Sequence, residues 1–393
     1  MRNLRAAATA LLLGTAALGA GAVLQSASAA VSSAVGRPLM EAKSLLAAKN
    51  YRGAMDRVNA AAAAAKTAEE HQIVDQMKNA IAIASGDTST AGGAKAKFAN
   101  DANAGRWKDV IADGDILQKN GALDGQSRLV IAQAYYMLHD PKGCMGYIKR
   151  NGLGGETALT LLQRCAYDAN DDVAQREALE QLVASTGKPE HWKNLLRLSE
   201  RARGMKDHNT LDIYRLKSMT GNLSTPDDVM LYAQLAIQMK SAAEAKAVIE
   251  KGIASNTLPA NDRTNRLLKL ATDRANENAA NFGKAMADAQ KQPQGDALIA
   301  LGEDQIGQGK AKDAIATIQA GIAKNPKDTA EAQLRLGTAY LAAGQKADAL
   351  KAFNAVKGDD KAMLVAHLYS LAARSDIATA KPDAAPAKGK KRK

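Results

Sequence analysis

Apolar residues return at helical spacing along most of this chain. Inside those amphipathic stretches a small or tightly packed residue recurs about every 34 positions. In the second half it falls on Leu211, Ala245, Ala279 or Ala280, Ala314 and Ala349, and upstream Val110, Cys144 and Ala178 keep the same interval. A unit of that length is a helix-turn-helix that cannot bury its apolar face alone, so neighbouring units must stack. The pattern predicts an all-α chain of about nine such units with almost no strand.

Individual segments sharpen this expectation. Residues 38–65 form a first unit in which Ala42, Leu45, Tyr51 and Ala54 stand in the right relation, and the alanine run at 60–65 closes its second helix. A helix over 67–84 follows. The stretch 85–93, SGDTSTAGG, then reads as a flexible link. Ala245 to Asn256 echoes Ala314 to Asn325 at two periods, with residues 261–276 and 279–290 predicted as a helix pair between them. Around Trp192 the helices are expected but the repeat register stays open, because one alignment puts His208 at the small position.

Residues 296–327 read DALIALGEDQIGQGKAKDAIATIQAGIAKNPK, and from 330 the chain continues AEAQLRLGTAYLAAGQKADALKAFNAV. Both resemble tetratricopeptide (TPR) repeats. Leu301-Gly302, Ala314, Ile318, Gly321 and Pro326 match in the first, where Gln305 replaces the tyrosine. Leu336-Gly337, Tyr340, Ala349 and Phe353 match in the second, where Val356 and Lys361 replace the last small residue and the proline. The physical reading of these positions is close helix approach at Gly302 and Gly337, with Ile318 and Phe353 filling the space to the next unit. Gly105, Gly309 and Gly344 end first helices in the left-handed conformation that other residues resist.

The resemblance implies a right-handed superhelical solenoid of stacked helix-turn-helix repeats. It also implies partner binding along the concave face lined by the first helix of each unit. Carried onto this sequence, that lining is Ile299, Glu303, Ile306, Leu334, Thr338 and Leu341, a mixed surface suited to an apolar or extended protein segment.

Composition changes the picture in three places. Aromatic residues are only 4% of the 393, so the core must come from closely approaching alanine-rich helices, which also have the best helix propensity. At the start, Arg2 and Arg5 precede an acid-free Ala- and Leu-rich run and the small-residue site Ala27-Ser28-Ala29. That order reads as a secretory signal peptide cleaved near Ala29, with an uncleaved membrane anchor as the alternative. The product is expected in the periplasm or outside the cell. An oxidising compartment permits a disulfide between Cys144 and Cys165, the alternative being two buried free thiols.

The third place is the C-terminus. Of the formal charge of +12, the end of the chain holds a large share: Lys381, Lys388, Lys390, Lys391, Arg392 and Lys393 stand against Asp383, about +5. Pro382, Pro386 and Gly389 prevent a stable helix there. Such a tail fits an anionic envelope polymer or lipid surface, or serves only solubility; nucleic acid has the same electrostatic signature, but no aromatic interleaving supports it.

No catalytic, metal or cofactor site is expected. The five histidines (His71, His139, His191, His208, His367) share no ligand or triad spacing and read as surface positions on helices. The stretch 168–172, DANDD, lacks the glycine and the final glutamate of a calcium loop and reads as a turn with a helix cap. Residues 151–155, NGLGG, follow no strand and read as an interhelical loop.

The expected organisation is therefore a signal peptide at 1–29, TPR-like helices at 30–84, the link at 85–93, degenerate repeats at 94–293, clear repeats at 294–373 and a disordered basic tail at 374–393. The expected function is a non-enzymatic protein-interaction scaffold of the bacterial cell envelope. Two alternatives stand beside it: a binder of anionic polymer through the tail, and an envelope enzyme whose site hides in the degenerate repeats, to be betrayed by converging carboxylates or histidines before Ala245.

Overall fold

The computed structural model describes residues 31–375, so the signal-peptide and basic-tail expectations, including Lys388, Lys390, Lys391, Arg392 and Lys393, fall outside the described residues. Among the described residues there are nineteen α-helices and no strand. They divide into two compact units, with the chain boundary between Leu153 and Gly154. The boundary falls inside the glycine-rich stretch read as an interhelical loop.

The first unit contains α1 (Ser33–Ala47), α2 (Tyr51–Ala64), α3 (Ala68–Ser85), α4 (Ala91–Asn103), α5 (Trp107–Lys119), α6 (Gly125–Met137) and α7 (Pro141–Arg150). Each helix packs on its sequence neighbours. One cluster, with Val35, Leu39, Val58, Val74 and Ile81, joins α1, α2 and α3; a second, with Phe98, Val110, Leu117 and Ile131, joins α4, α5 and α6. Thr67 caps α3, its hydroxyl accepting from the Glu70 backbone N–H at 3.2 Å while the Glu70 carboxylate accepts from Thr67 N–H at 3.3 Å. The same carboxylate accepts from Ser32 N–H at 3.0 Å and Ser32 Oγ at 2.6 Å, which pins the approach to α1 onto the start of α3.

The expected link at 85–93 is shortened at both ends by helix. Only residues 86–90 lie outside helices, and Asn120 Nδ2 donates to the Thr88 carbonyl at 3.0 Å. The reason is local: Thr90 accepts from Gly93 N–H at 3.1 Å and starts α4 earlier than the glycine pair suggests.

The second unit contains α8 (Gly155–Asp168), α9 (Asp172–Thr186), α10 (Pro189–Glu200), α11 (Asp207–Met219), α12 (Pro226–Gln238) and α13 (Ala242–Ala254), then the long α14 (Asp262–Lys291). It ends with α15 (Asp296–Gly307), α16 (Ala311–Ile322), α17 (Thr329–Ala342), α18 (Lys346–Asn354) and α19 (Asp360–Arg374). Helix α14 corrects the sequence expectation, because the pair predicted at 261–276 and 279–290 is one continuous helix of 30 residues. Asn261 caps its start, and no proline or left-handed residue interrupts it. The single interior Gly283 costs only about 1 kcal/mol, too little to break a long helix.

The repeat positions behave as the pattern requires. A methyl group at Gly302 would overlap Ile318, and one at Gly337 would overlap the Phe353 ring. Gly105, Gly309 and Gly344 all have positive φ, at 69°, 75° and 77°. Asp171 caps α9, accepting from Ala174 N–H at 2.9 Å, as the turn reading of DANDD expects.

One feature of this unit is not local in sequence. Besides its neighbours, α15 packs on α13 and α17, α17 packs on α19, and α19 returns to pack on α11 and α9. The last helix thereby returns onto earlier helices of the same unit.

Candidate functional site

The expected lining residues differ in exposure. Leu334 is fully buried, Ile299, Thr338 and Leu341 are buried, and only Glu303 and Ile306 are half-buried. Ile299 packs with Ala314, Ile318, Ala332 and Ala339 of the same two repeats, and Ile306 lies against that cluster. Of the six, Glu303 meets α11, through Arg215.

The contact is ionic. Asp212 of α11 and Arg335 of α17, 0% and 1% exposed at their side chains, form a bidentate pair with distances of 2.7 and 2.5 Å. Arg215 of α11 forks onto Glu244 of α13 at 2.8 and 2.7 Å and reaches Asp212 at 3.0 Å and Glu303 at 2.8 Å. Arg335 also donates to Glu331 at 2.5 Å. Tyr232 donates to Glu244 at 2.7 Å and Tyr369 of α19 to Asp212 at 3.2 Å. Guanidinium forks suit this role because their planar donors match carboxylates two at a time.

The cluster has four carboxylates (Asp212, Glu244, Glu303, Glu331) and two guanidiniums, so its titration is uneven. Burial pushes the Asp212 carboxyl up, but Arg335 and then Arg215 outweigh it and hold the group below the ordinary carboxylate range. At Glu331 burial also pushes up, and Arg335 offsets it only partly against the negative charge of Asp212 and Glu303, so this carboxyl ends above its ordinary value. Glu331 Oε2 has no hydrogen-bond partner and lies 3.8 Å from His208 Nε2. Two further ion pairs lie at the return of α19: His367 meets Glu180 of α9 at 3.1 Å, and Lys206 meets Asp359 at 3.2 Å.

Two further clusters lie before Ala245. In the first unit, the buried carboxylates of Asp101 and Asp113 share the Lys97 ammonium, and Arg106 closes on Asp101. Burial raises the Asp113 pKa; at Asp101 burial is outweighed by Lys97 and Arg106, and the pKa falls. In the second unit, Glu156 at the start of α8 faces Lys188, Glu190 and His191 at the start of α10. The hydrogen bond from Lys188 is the main reason the Glu156 carboxyl lies below its ordinary value.

His191 is a correction to the sequence expectation of surface histidines, since it is only 7% exposed. His71 and His139 are exposed as expected. The cluster was invisible in sequence because Glu156 lies 35 residues from His191. The one local signal was an acid-histidine pair just after Pro189, at a helix start.

Cys144 and Cys165 are both fully buried, and neither is a free thiol. No helix among the described residues is long and apolar enough to cross a membrane.

No family model and no curated protein matches this chain. Among solved structures, a chain of the APC/C hetero-tetramer Cut9-Hcn1 aligns at 11% identity over 88% of this chain and 72% of that one, with a TM-score of 0.22.

Proposed function

We propose that this chain is a non-enzymatic protein-interaction scaffold of the bacterial cell envelope, which takes a peptide or protein segment at the rim of the inner face formed by α15 and α17. One observation carries the reading: α15 and α17 already bind side chains of α11, Arg215 at Glu303 and Asp212 at Arg335, while Glu303 and Ile306 stay partly exposed. A helical array that recognises helices by buried ion pairs has the chemistry a scaffold needs, with the half-exposed residues left for a partner. The envelope location rests on the sequence of residues 1–29.

The test is a photo-crosslinking side chain placed at Ile306 of the full chain in cells that export it. Discrete protein adducts from Ile306, absent from the same probe at the outward Lys312, are expected. Equal labelling from both positions, or none from either, would remove the scaffold reading at this face.

A second reading uses the tail, because its cationic residues hold about half of the mature chain's formal charge. In it, Lys388, Lys390, Lys391, Arg392 and Lys393 hold the scaffold to an anionic envelope polymer or lipid surface. Binding to anionic vesicles should fall steeply with added salt and disappear on deletion of residues 388–393. Vesicle binding that survives the deletion rejects it.

A further inference from the structure

The cluster at the starts of α8 and α10 has the donor set of a metal site. Glu156, Glu190 and His191 each offer a ligand atom, and those atoms lie within 4.8 Å of one another. His191 Nε2 and Glu156 Oε1 are 3.3 Å apart. That is long for a hydrogen bond, whose N···O distance centres near about 2.9–3.0 Å. It also equals the edge of a tetrahedron with metal-ligand distances of about 2.0–2.1 Å, which is about 3.3–3.4 Å, so the two donors already stand at the spacing a shared ion needs. The imidazole is held by the fold, its side chain 9% exposed in the first turn of α10, while the two glutamates lie at the surface and can turn inward.

A second observation points to a cation. The Lys188 ammonium already sits on Glu156 Oε1. One ammonium against two carboxylates leaves the cluster net negative, and Lys188 is half exposed on a flexible stem. A divalent ion that displaced it would neutralise both glutamates and gain the imidazole, which an ammonium cannot use.

We propose that Glu156, Glu190 and His191 bind one first-row divalent cation of the zinc type, with water completing the coordination. Carboxylate and imidazole together suit Zn²⁺, and the three protein ligands leave an open fourth position. The ion would clip the start of α8 to the start of α10 on either side of α9. Its binding would release Lys188 to solvent and does not depend on the scaffold reading.

The experiment is calorimetric titration of ZnCl₂ into the untagged, chelator-stripped full chain, with thermal unfolding followed in parallel. One Zn²⁺ per chain is expected, with a higher Tm in its presence. His191→Gln and Glu190→Gln should each abolish this event, and His139→Gln, at an exposed histidine elsewhere, should leave it unchanged. Lys188→Met should tighten binding about two- to fivefold by removing the competing ammonium of an exposed pair. Glu190 is exposed, so its variant tests the site even if His191→Gln disturbs packing. No saturable binding, binding that persists in Glu190→Gln, or binding that Lys188→Met leaves unchanged or weakens overturns the proposal.

Discussion

Arg335 and Asp212 are 123 residues apart in sequence and meet as a bidentate ion pair from which solvent is excluded. Their contact joins α17 to α11 and fixes how the second unit closes.

The variants of this pair should be unequal. Arg335→Met leaves four carboxylates facing the single guanidinium of Arg215, whereas Asp212→Asn leaves three carboxylates facing two guanidiniums. An uncompensated buried charge costs about 3–5 kcal/mol. Arg335→Met should fall in that range and Asp212→Asn below it, measured by urea unfolding with far-UV circular dichroism. Arg335→Lys should recover little, because an ammonium cannot fork onto a carboxylate. An equal loss for the two single variants would contradict the charge accounting.

Gly337→Ala tests the close approach of α17 and α18. Its new methyl group meets the Phe353 ring, which also stacks on Tyr369 at 5.4 Å. Overpacking of this kind costs about 1–3 kcal/mol. Adding Phe353→Leu should return part of it, a non-additivity read from denaturant midpoints of the two single variants and the double variant.

Acid should loosen the start of α1 from α3. The Ser32 hydroxyl, then the backbone N–H groups of Lys66 and Ser32, lower the Glu70 pKa from 4.5 to about 2. A depressed folded pKa means the contribution is complete above 4.5 and is lost as pH falls through about 2. Exchange protection of the α1 amides, corrected for intrinsic rates, should decline across that window in the native chain. Glu70→Gln should lower protection at neutral pH and flatten the decline; the same slope in both would show that other carboxylates control it.

The oxidised pairing of Cys144 with Cys165 is a mass prediction. Intact mass spectrometry without reductant should give a chain lighter by two hydrogens than the reduced chain, with no alkylation under denaturing, non-reducing conditions. Two alkylated cysteines would show separate thiols.

The repeat lattice was legible in the sequence because it is built from contacts between neighbours. Gly302 with Ile318, Gly337 with Phe353 and the left-handed glycines at 309 and 344 all act within one helix pair, and their spacing carries the information. Helix α14 was misread because spacing alone suggested a break, while local chemistry offers no residue that stops a helix between Asn276 and Ala279.

Which charges meet was decided only by tertiary structure. Asp212, Arg215, Glu244 and Arg335 look in sequence like ordinary charges on solvated helix faces, since no periodicity distinguishes a buried ion from an exposed one. They become a core when α19 returns to α9 and α11, a contact set by the summed geometry of every intervening helix. The sequence by itself determined the helices and their neighbours. The fold determined which polar residues lose water, because desolvation depends on elements far apart along the chain.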